Sequence, residues 1–320
     1  MIEVSHLSRF YGDHRAVDDV SFTIASNTIV GFLGLNGAGK TTTLKVIAGL
    51  LPPSAGTVRV DGEDLASAPE SFRKRIGFLP ETPPLYIEQT VREFLRFVGR
   101  LRGMSSSSVE TRLPSVMSRC QLDGREDWVI GQLSHGYRKR VGIAQAIIHQ
   151  PNLVILDEPI SGLDPVQIVE MRKVIRGLAE ECTVLLSSHI LTEIEHTCDR
   201  VVVLQQGKMV FEGTADELRG RTHSSDSPSV RIVVRGDGEE ARSVMASVDG
   251  VTEAVLIEEV APLATIWITQ SREVSEDLAA AILGAGMGLR RIEGKGDELE
   301  DVFVSLTRGA ARSASSGGAA

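Results

Sequence analysis

The residues best placed to do chemistry in this chain lie in Gly34-Leu-Asn36-Gly37-Ala-Gly39-Lys40-Thr41-Thr42, whose first eight positions fit G-x-x-x-x-G-K-[ST]. An apolar run, Thr28–Leu33, precedes the segment, and a helix-forming run, Leu44–Leu50, follows it. Strand, glycine loop and helix in that order make a phosphate cradle. Glycines let the backbone turn tightly and aim its N–H groups at phosphate oxygens. The helix N-terminus adds partial positive charge. Lys40 would reach the β- and γ-phosphates of a nucleotide, and Thr41 would ligate magnesium.

A nucleotide triphosphate also needs its metal held and its attacking water oriented. Leu153–Leu156 is a short apolar run ending in Asp157 and Glu158. A buried strand that delivers carboxylates at its C-terminal edge sets them beside such a cradle. Asp157 would hold magnesium through its water shell, and Glu158 would polarise the attacking water. His189 follows a third apolar run, Thr183–Ser188, and could contact the γ-phosphate from another side. Glu158, His189 and Lys40 form the expected catalytic set.

The elements that must position these groups alternate between strand-like and helix-like segments over residues 1–221, which indicates an α/β core with a largely parallel sheet. Residues 222–228 are polar and Ser-rich and read as a linker. A second unit, 229–308, shows strand patterns at Val230–Val234, Ala254–Ile257, Thr265–Thr269 and Leu289–Glu293. Helical patterns lie at Glu239–Ser247 and Ser275–Leu283, with Ser275 expected as an N-cap. Leu299, Val302, Phe303 and Leu306 then form one helical stripe. The order βαββαβ matches a small α+β, ferredoxin-like sandwich. Residues 309–320 are small and polar, which predicts a disordered tail.

Composition narrows the classes. The 320 residues hold 34 basic and 43 acidic side chains, a net charge of −9. That balance argues against nucleic acid as a partner and against direct adsorption to an anionic leaflet. Residues 229–308 carry 8 basic against 15 acidic side chains, so most of the negative charge falls there. Three cysteines without metal-ligand spacing indicate a reducing compartment. No secretory signal and no run of 18 apolar residues is visible, so any path across a membrane must come from another polypeptide.

One further stretch makes the pattern specific. Leu133-Ser134-His135-Gly136-Tyr137 lies about 20 residues ahead of the acidic strand and begins a helical run to His149. It resembles the ABC signature sequence, usually written LSGGQ. With the cradle and the acid pair, residues 1–220 are similar to the ATP-binding subunits of ABC transporters, exporter type, of the drug-, sodium- and gliding-motility-related kind. The resemblance implies a P-loop ATPase core: a RecA-like parallel sheet with an antiparallel β subdomain and a helical subdomain at about 85–150. It implies ATP and Mg2+ as ligands, Tyr11 stacking on adenine, and the 34–42 segment as the Walker A loop. Asp157 is then the Walker B aspartate, and Glu158 is the catalytic glutamate. Asp164 falls in the D-loop, and His189 is the switch histidine. Ser134 and Gly136 would close over the γ-phosphate held by an opposite protomer.

Two departures stand out. His135 and Tyr137 replace the usual Gly and Gln, while Ser134 and Gly136 are kept. Glu81, after Ile76-Gly-Phe-Leu-Pro80, stands where a Q-loop glutamine is usual, and it can ligate magnesium but cannot donate a hydrogen bond. The helical stripe Val91, Phe94, Leu95, Val98 and Leu101 reads mostly as core, and the groove between Glu81 and Tyr86 is the docking candidate.

The resemblance further implies a homodimer, or a heterodimer with a paralogue, docked on a membrane-spanning permease. Such a protein is cytoplasmic and peripheral on the inner face of the cell membrane. Two other readings stay open here: a soluble ABC-type ATPase acting on ribosomes or DNA, and a regulatory subunit with weak ATPase activity. The absence of a second fused core or a long coiled coil speaks against the first.

Overall fold

The computed structural model describes residues 1–220 and 229–294. The chain divides into two units, one spanning Met1–Thr214 and one beginning at Ala215. The expected linker at 222–228, the stripe at Leu299–Leu306 and the tail at 309–320 lie outside the described residues.

The first unit opens with antiparallel strands β1 (Ile2–Tyr11) and β2 (His14–Ile24), followed by the fully buried β3 (Ile29–Leu33). Then come α1 (Lys40–Ile47), β4 (Ala55–Val60), β5 (Glu63–Asp64), α2 (Pro69–Lys74) and β6 (Ile76–Leu79). A helical stretch follows with α3 (Val91–Leu101), α4 (Ser106–Arg119) and α5 (His135–Ile147). The core resumes with β7 (Leu153–Leu156), α6 (Pro165–Leu178), β8 (Thr183–Ser188), α7 (Leu191–Thr197), β9 (Arg200–Gln205) and β10 (Lys208–Gly213).

Two sheets result. One is antiparallel, in the order β2-β1-β4-β5. The other runs β10-β9-β3-β8-β7-β6 and is parallel except for β10. The inner parallel strands are continuous apolar runs because both of their faces are covered. Leu44, Val46 and Ile47 of α1 share one apolar core with Val4 and Phe22 of the antiparallel sheet and Phe32, Ile155 and Leu185 of the parallel one. The Phe22 and Phe32 rings meet edge to face at 5.4 Å. This core fixes the start of α1 against the C-terminal edge of the parallel sheet.

Helix α3 starts at a capping box, in which Thr90 and Glu93 each satisfy the other's backbone N–H. Its stripe is core at Val91, Phe94, Leu95 and Val98, whereas Leu101 is 74% exposed. Helix α5 lies close against β6. A Cβ on Gly77 would sit 2.1 Å from the Ala146 carbonyl oxygen, so only glycine fits there.

The second unit contains α8 (Ala215–Gly220), β11 (Ser229–Arg235), α9 (Gly238–Ala246), β12 (Val251–Val260), β13 (Leu263–Gln270), α10 (Ser275–Gly284) and β14 (Gly288–Gly294). Its sheet is antiparallel in the order β12-β13-β11-β14. Ala241 and Met245 of α9 and Leu278 and Ile282 of α10 pack on Ile232, Val234 and Ile266. Strand β12 runs beyond the Ala254–Ile257 alternation. It is an edge strand, so the exposed Glu253 and Glu258 face solvent while their backbones still pair with β13. Ser275 is not the N-cap of α10. Val274 holds that position without a side-chain bond, and the Glu273 carboxylate accepts from the Ser275 N–H at 2.9 Å instead.

His149 follows the end of α5. Its Nε2 lies 3.1 Å from the Ile76 carbonyl, while its buried Nδ1 has no partner. Burial, aided by the Arg102 charge, pushes its pKa down to about 4. In the unfolded chain the imidazole protonates below about 6.5. Stability is therefore complete above that value and falls as the pH drops toward 4, by about 2–3 kcal/mol. His149→Gln should flatten this fall in denaturation midpoints measured from pH 7 to pH 4. Gly77→Ala should force α5 off β6 and lower the thermal midpoint by about 5 °C or more, as read by calorimetry.

Candidate functional site

The site is built where parallel strands end. In register, Leu33 of β3 faces Ser188 of β8, and Leu156 of β7 faces both Leu186 of β8 and Leu79 of β6. The segments leaving these strands carry the chemistry: the glycine loop after β3, His189 after β8, Asp157 and Glu158 after β7, and Glu81 after β6.

Gly39 precedes α1 with φ of 102°, and a Cβ there would lie 2.4 Å from the Ala16 carbonyl oxygen. A side chain would therefore clash as well as strain the turn. Lys40 is 6% exposed. Its Nζ donates to the carbonyls of Gly34 at 2.7 Å and Leu35 at 3.3 Å, and stands 3.8 Å from a Glu158 carboxylate oxygen. Burial pulls its pKa down, while the charges of Glu158, Asp157 and Glu81 counter that pull.

Asp157 is buried and doubly held. Thr41 Oγ1 donates to its Oδ1 at 3.1 Å, and Ser187 Oγ donates to the same oxygen at 2.6 Å. Ser187 Oγ also accepts from the Glu158 N–H at 2.9 Å. Glu158 has φ of 48°, the left-handed region, where a non-glycine residue carries strain of about 1–3 kcal/mol and persists only because its neighbours hold it. Its Oε2 lies 3.0 Å from His189 Nδ1. A carboxylate between an ammonium and an imidazole is thereby aimed at the glycine loop.

These groups line one cavity of about 350 Å3, which brings together Tyr11, Asn36, Gly37, Gly39, Lys40, Thr41, Thr42, Glu81, Glu158 and His189. Gly34 lies at the loop base as acceptor for Lys40, and Asp157 sits behind Thr41. The cavity lining does not include Ser134, Gly136 or Asp164. Ser134 is exposed and caps α5, accepting from the Tyr137 N–H at 3.4 Å. Asp164 caps α6, accepting from the Gln167 N–H at 2.9 Å. The Gln167 side chain packs against Gly136, where an added Cβ would meet its Oε1 at 2.2 Å.

Two residues escaped the sequence reading. Ser187 is an ordinary strand serine until its neighbours are known. Lys139 is 1% exposed, and its Nζ donates to the carbonyls of Glu81 at 2.6 Å and Glu158 at 3.1 Å. A signal existed: Lys139 shares a helical stripe with Ile143, Ala146 and Ile147, where a solvated lysine does not belong. Burial lowers its pKa, with Glu81, Glu158 and Asp157 opposing. The three thiols are buried, and burial pushes them all up, so none is a reactive nucleophile.

Fold and site together define a P-loop nucleotide-binding ATPase. Residues 17–161 match the family described as ABC transporter. The chain is 34% identical over 307 residues to the ABC transporter ATP-binding protein YxlF of Bacillus subtilis, covering 96% of this chain and 99% of that one. It is 32% identical to the Nod factor export ATP-binding protein I of Paraburkholderia xenovorans, covering 96% of each. A solved structure of an ATP binding subunit of an ABC transporter superposes with a TM-score of 0.62 at 37% identity, covering 70% of this chain and 93% of that one. The chain belongs to the ATP-binding subunits of ABC transporters. Among the described residues no helix is long and apolar enough to cross a membrane.

Ser187→Ala tests the joint between the two acids. It leaves the Glu158 N–H without its acceptor and Asp157 short of a donor. Denaturation should show a loss of about 1–3 kcal/mol, and steady-state ATP turnover should fall about tenfold or more.

Proposed function

We propose that this subunit hydrolyses ATP as one half of a dimer and thereby drives an exporter whose membrane path belongs to a separate permease. The observation that carries the reading is the linked set Thr41–Asp157–Ser187–Glu158–His189, closed by Lys40 at one cavity. The export function named for the Paraburkholderia xenovorans relative, which aligns along nearly the whole chain, supports the direction.

In this reading Tyr11, 46% exposed at the end of β1, stacks on adenine. The backbone N–H groups of the glycine loop and the first turn of α1 bind the phosphates, with Asn36 and Thr42 on the rim. Lys40 leaves its loop carbonyls to bind the β- and γ-phosphates. Glu158 accepts a hydrogen bond from a water, which attacks the γ-phosphorus and gives up its proton to that carboxylate as the bond to the β-phosphate oxygen breaks, leaving ADP and inorganic phosphate. His189 orients the Glu158 carboxylate and reaches the γ-phosphate.

The donor set suits a small hard cation. Among the described residues there is no cluster of three or more His, Cys, Asp or Glu that could hold a metal ion. A hydroxyl and a carboxylate, Thr41 and Asp157, are joined instead, with Glu81 lining the cavity that Thr41 lines, and phosphate and water would complete the shell. Mg2+ held there would neutralise charge on the phosphates.

Ser134, Gly136 and Asp164 are assigned to the partner's nucleotide. Ser134 presents an exposed helix start outside its own cavity, as a site shared between protomers requires. ATP then closes the dimer, and hydrolysis with phosphate loss reopens it. The permease docks at the groove between Glu81 and Tyr86, where Tyr86, 49% exposed, packs against Phe94 and Phe97. That contact makes the protein peripheral on the inner face of the membrane.

Glu158→Gln tests the shared site. Turnover should fall about 100-fold or more, while MgATP should convert the variant from monomer to dimer in sedimentation velocity. A variant that stays monomeric at saturating MgATP would contradict the shared site.

A further inference from the structure

Strands β6 and β7 are neighbours in register, and a backbone bond from the Asp157 N–H to the Leu79 carbonyl at 2.8 Å closes that stretch of ladder. Glu81 and Glu158 stand at equivalent places on the two strands, each two residues past the Leu79–Leu156 pair. Both carbonyls receive the same ammonium, that of Lys139, at 2.6 and 3.1 Å. The lysine comes from α5, an element that belongs to neither strand. Its reach depends on the close seating of α5 on β6 that Gly77 permits.

Glu158 needs such a hold. Its backbone is left-handed, and its carboxylate must face both Lys40 and His189. Ser187 secures the N–H side of the residue and Lys139 the carbonyl side. We infer that Lys139 is a positioning residue for ATP hydrolysis, its buried ammonium pinning the Glu158 peptide and tying it to the Glu81 segment. The inference rests on the proposed hydrolytic role of Glu158. Lys139 does not line the cavity of the glycine loop, so it acts on the geometry of the water-orienting carboxylate and not on nucleotide affinity. Both acceptors are neutral carbonyls, so two donors at the right reach are what the site requires.

The test uses the full-length chain with Lys139→Met and Lys139→Gln. Each is measured for ATP affinity by equilibrium binding and for kcat by single-turnover and steady-state assays. The Met variant keeps volume and removes the donors. Its kcat should fall about 30- to 100-fold with ATP affinity held within about threefold. Gln is too short to span both carbonyls and should fall about 5- to 10-fold, again at unchanged affinity. Should Met prevent folding, the Gln variant gives the same reading at smaller amplitude. Wild-type kcat in a folded variant, or a loss confined to ATP affinity, overturns the inference alone. A wild-type chain that binds ATP but never turns it over overturns the hydrolytic reading and the inference with it.

Discussion

Everything at the site depends on neighbouring parallel strands ending at one level. β3, β8, β7 and β6 are adjacent in the sheet and close in register. A parallel sheet covered on both faces can be almost wholly apolar, so its polar work is left to the segments that leave its C-terminal edge. The glycine loop, the acid pair, the histidine and Glu81 are therefore neighbours because their strands are. A slip of one residue in β7 would turn Asp157 away from Thr41 and break the link through Ser187.

The electrostatic arrangement follows from that geometry. Two buried ammonium groups, Lys40 and Lys139, flank the acid pair from opposite elements, the glycine loop and α5. Burying either alone would be unfavourable, but each is bonded to carbonyls and faces carboxylates. The two differ in what they can do. Lys40 lines the cavity and can exchange its loop carbonyls for phosphate oxygens, whereas Lys139 is locked between two segments of backbone. In the proposed mechanism one lysine meets the substrate and the other holds the group that acts on it.

Much of this was legible in the sequence, for local reasons. The loop at 34–42 carries its chemistry in consecutive residues, and the acid pair follows a strand readable from its apolar run. The βαββαβ order of the second unit shows in strand alternation together with two helical patterns. What could not be read depends on packing between distant segments. Ser187 matters only because β8 lies between β3 and β7. Lys139 matters only because Gly77 lets α5 approach β6. Ser275 looks like a cap by residue type, yet Glu273, two residues earlier, supplies the bond. The ends of β12 were hidden because an edge strand tolerates glutamates that break the apolar pattern.

We propose that this ATP-binding subunit works on a separate membrane-spanning partner. The most direct measurement is recovery of the tagged Glu158→Gln chain with MgATP from detergent-solubilised native membranes, with the co-purifying chains identified and their stoichiometry determined by mass spectrometry. A polytopic membrane protein at near one-to-one ratio with this chain is expected. Recovery of ribosomal proteins or DNA, with no membrane protein, would contradict the proposal.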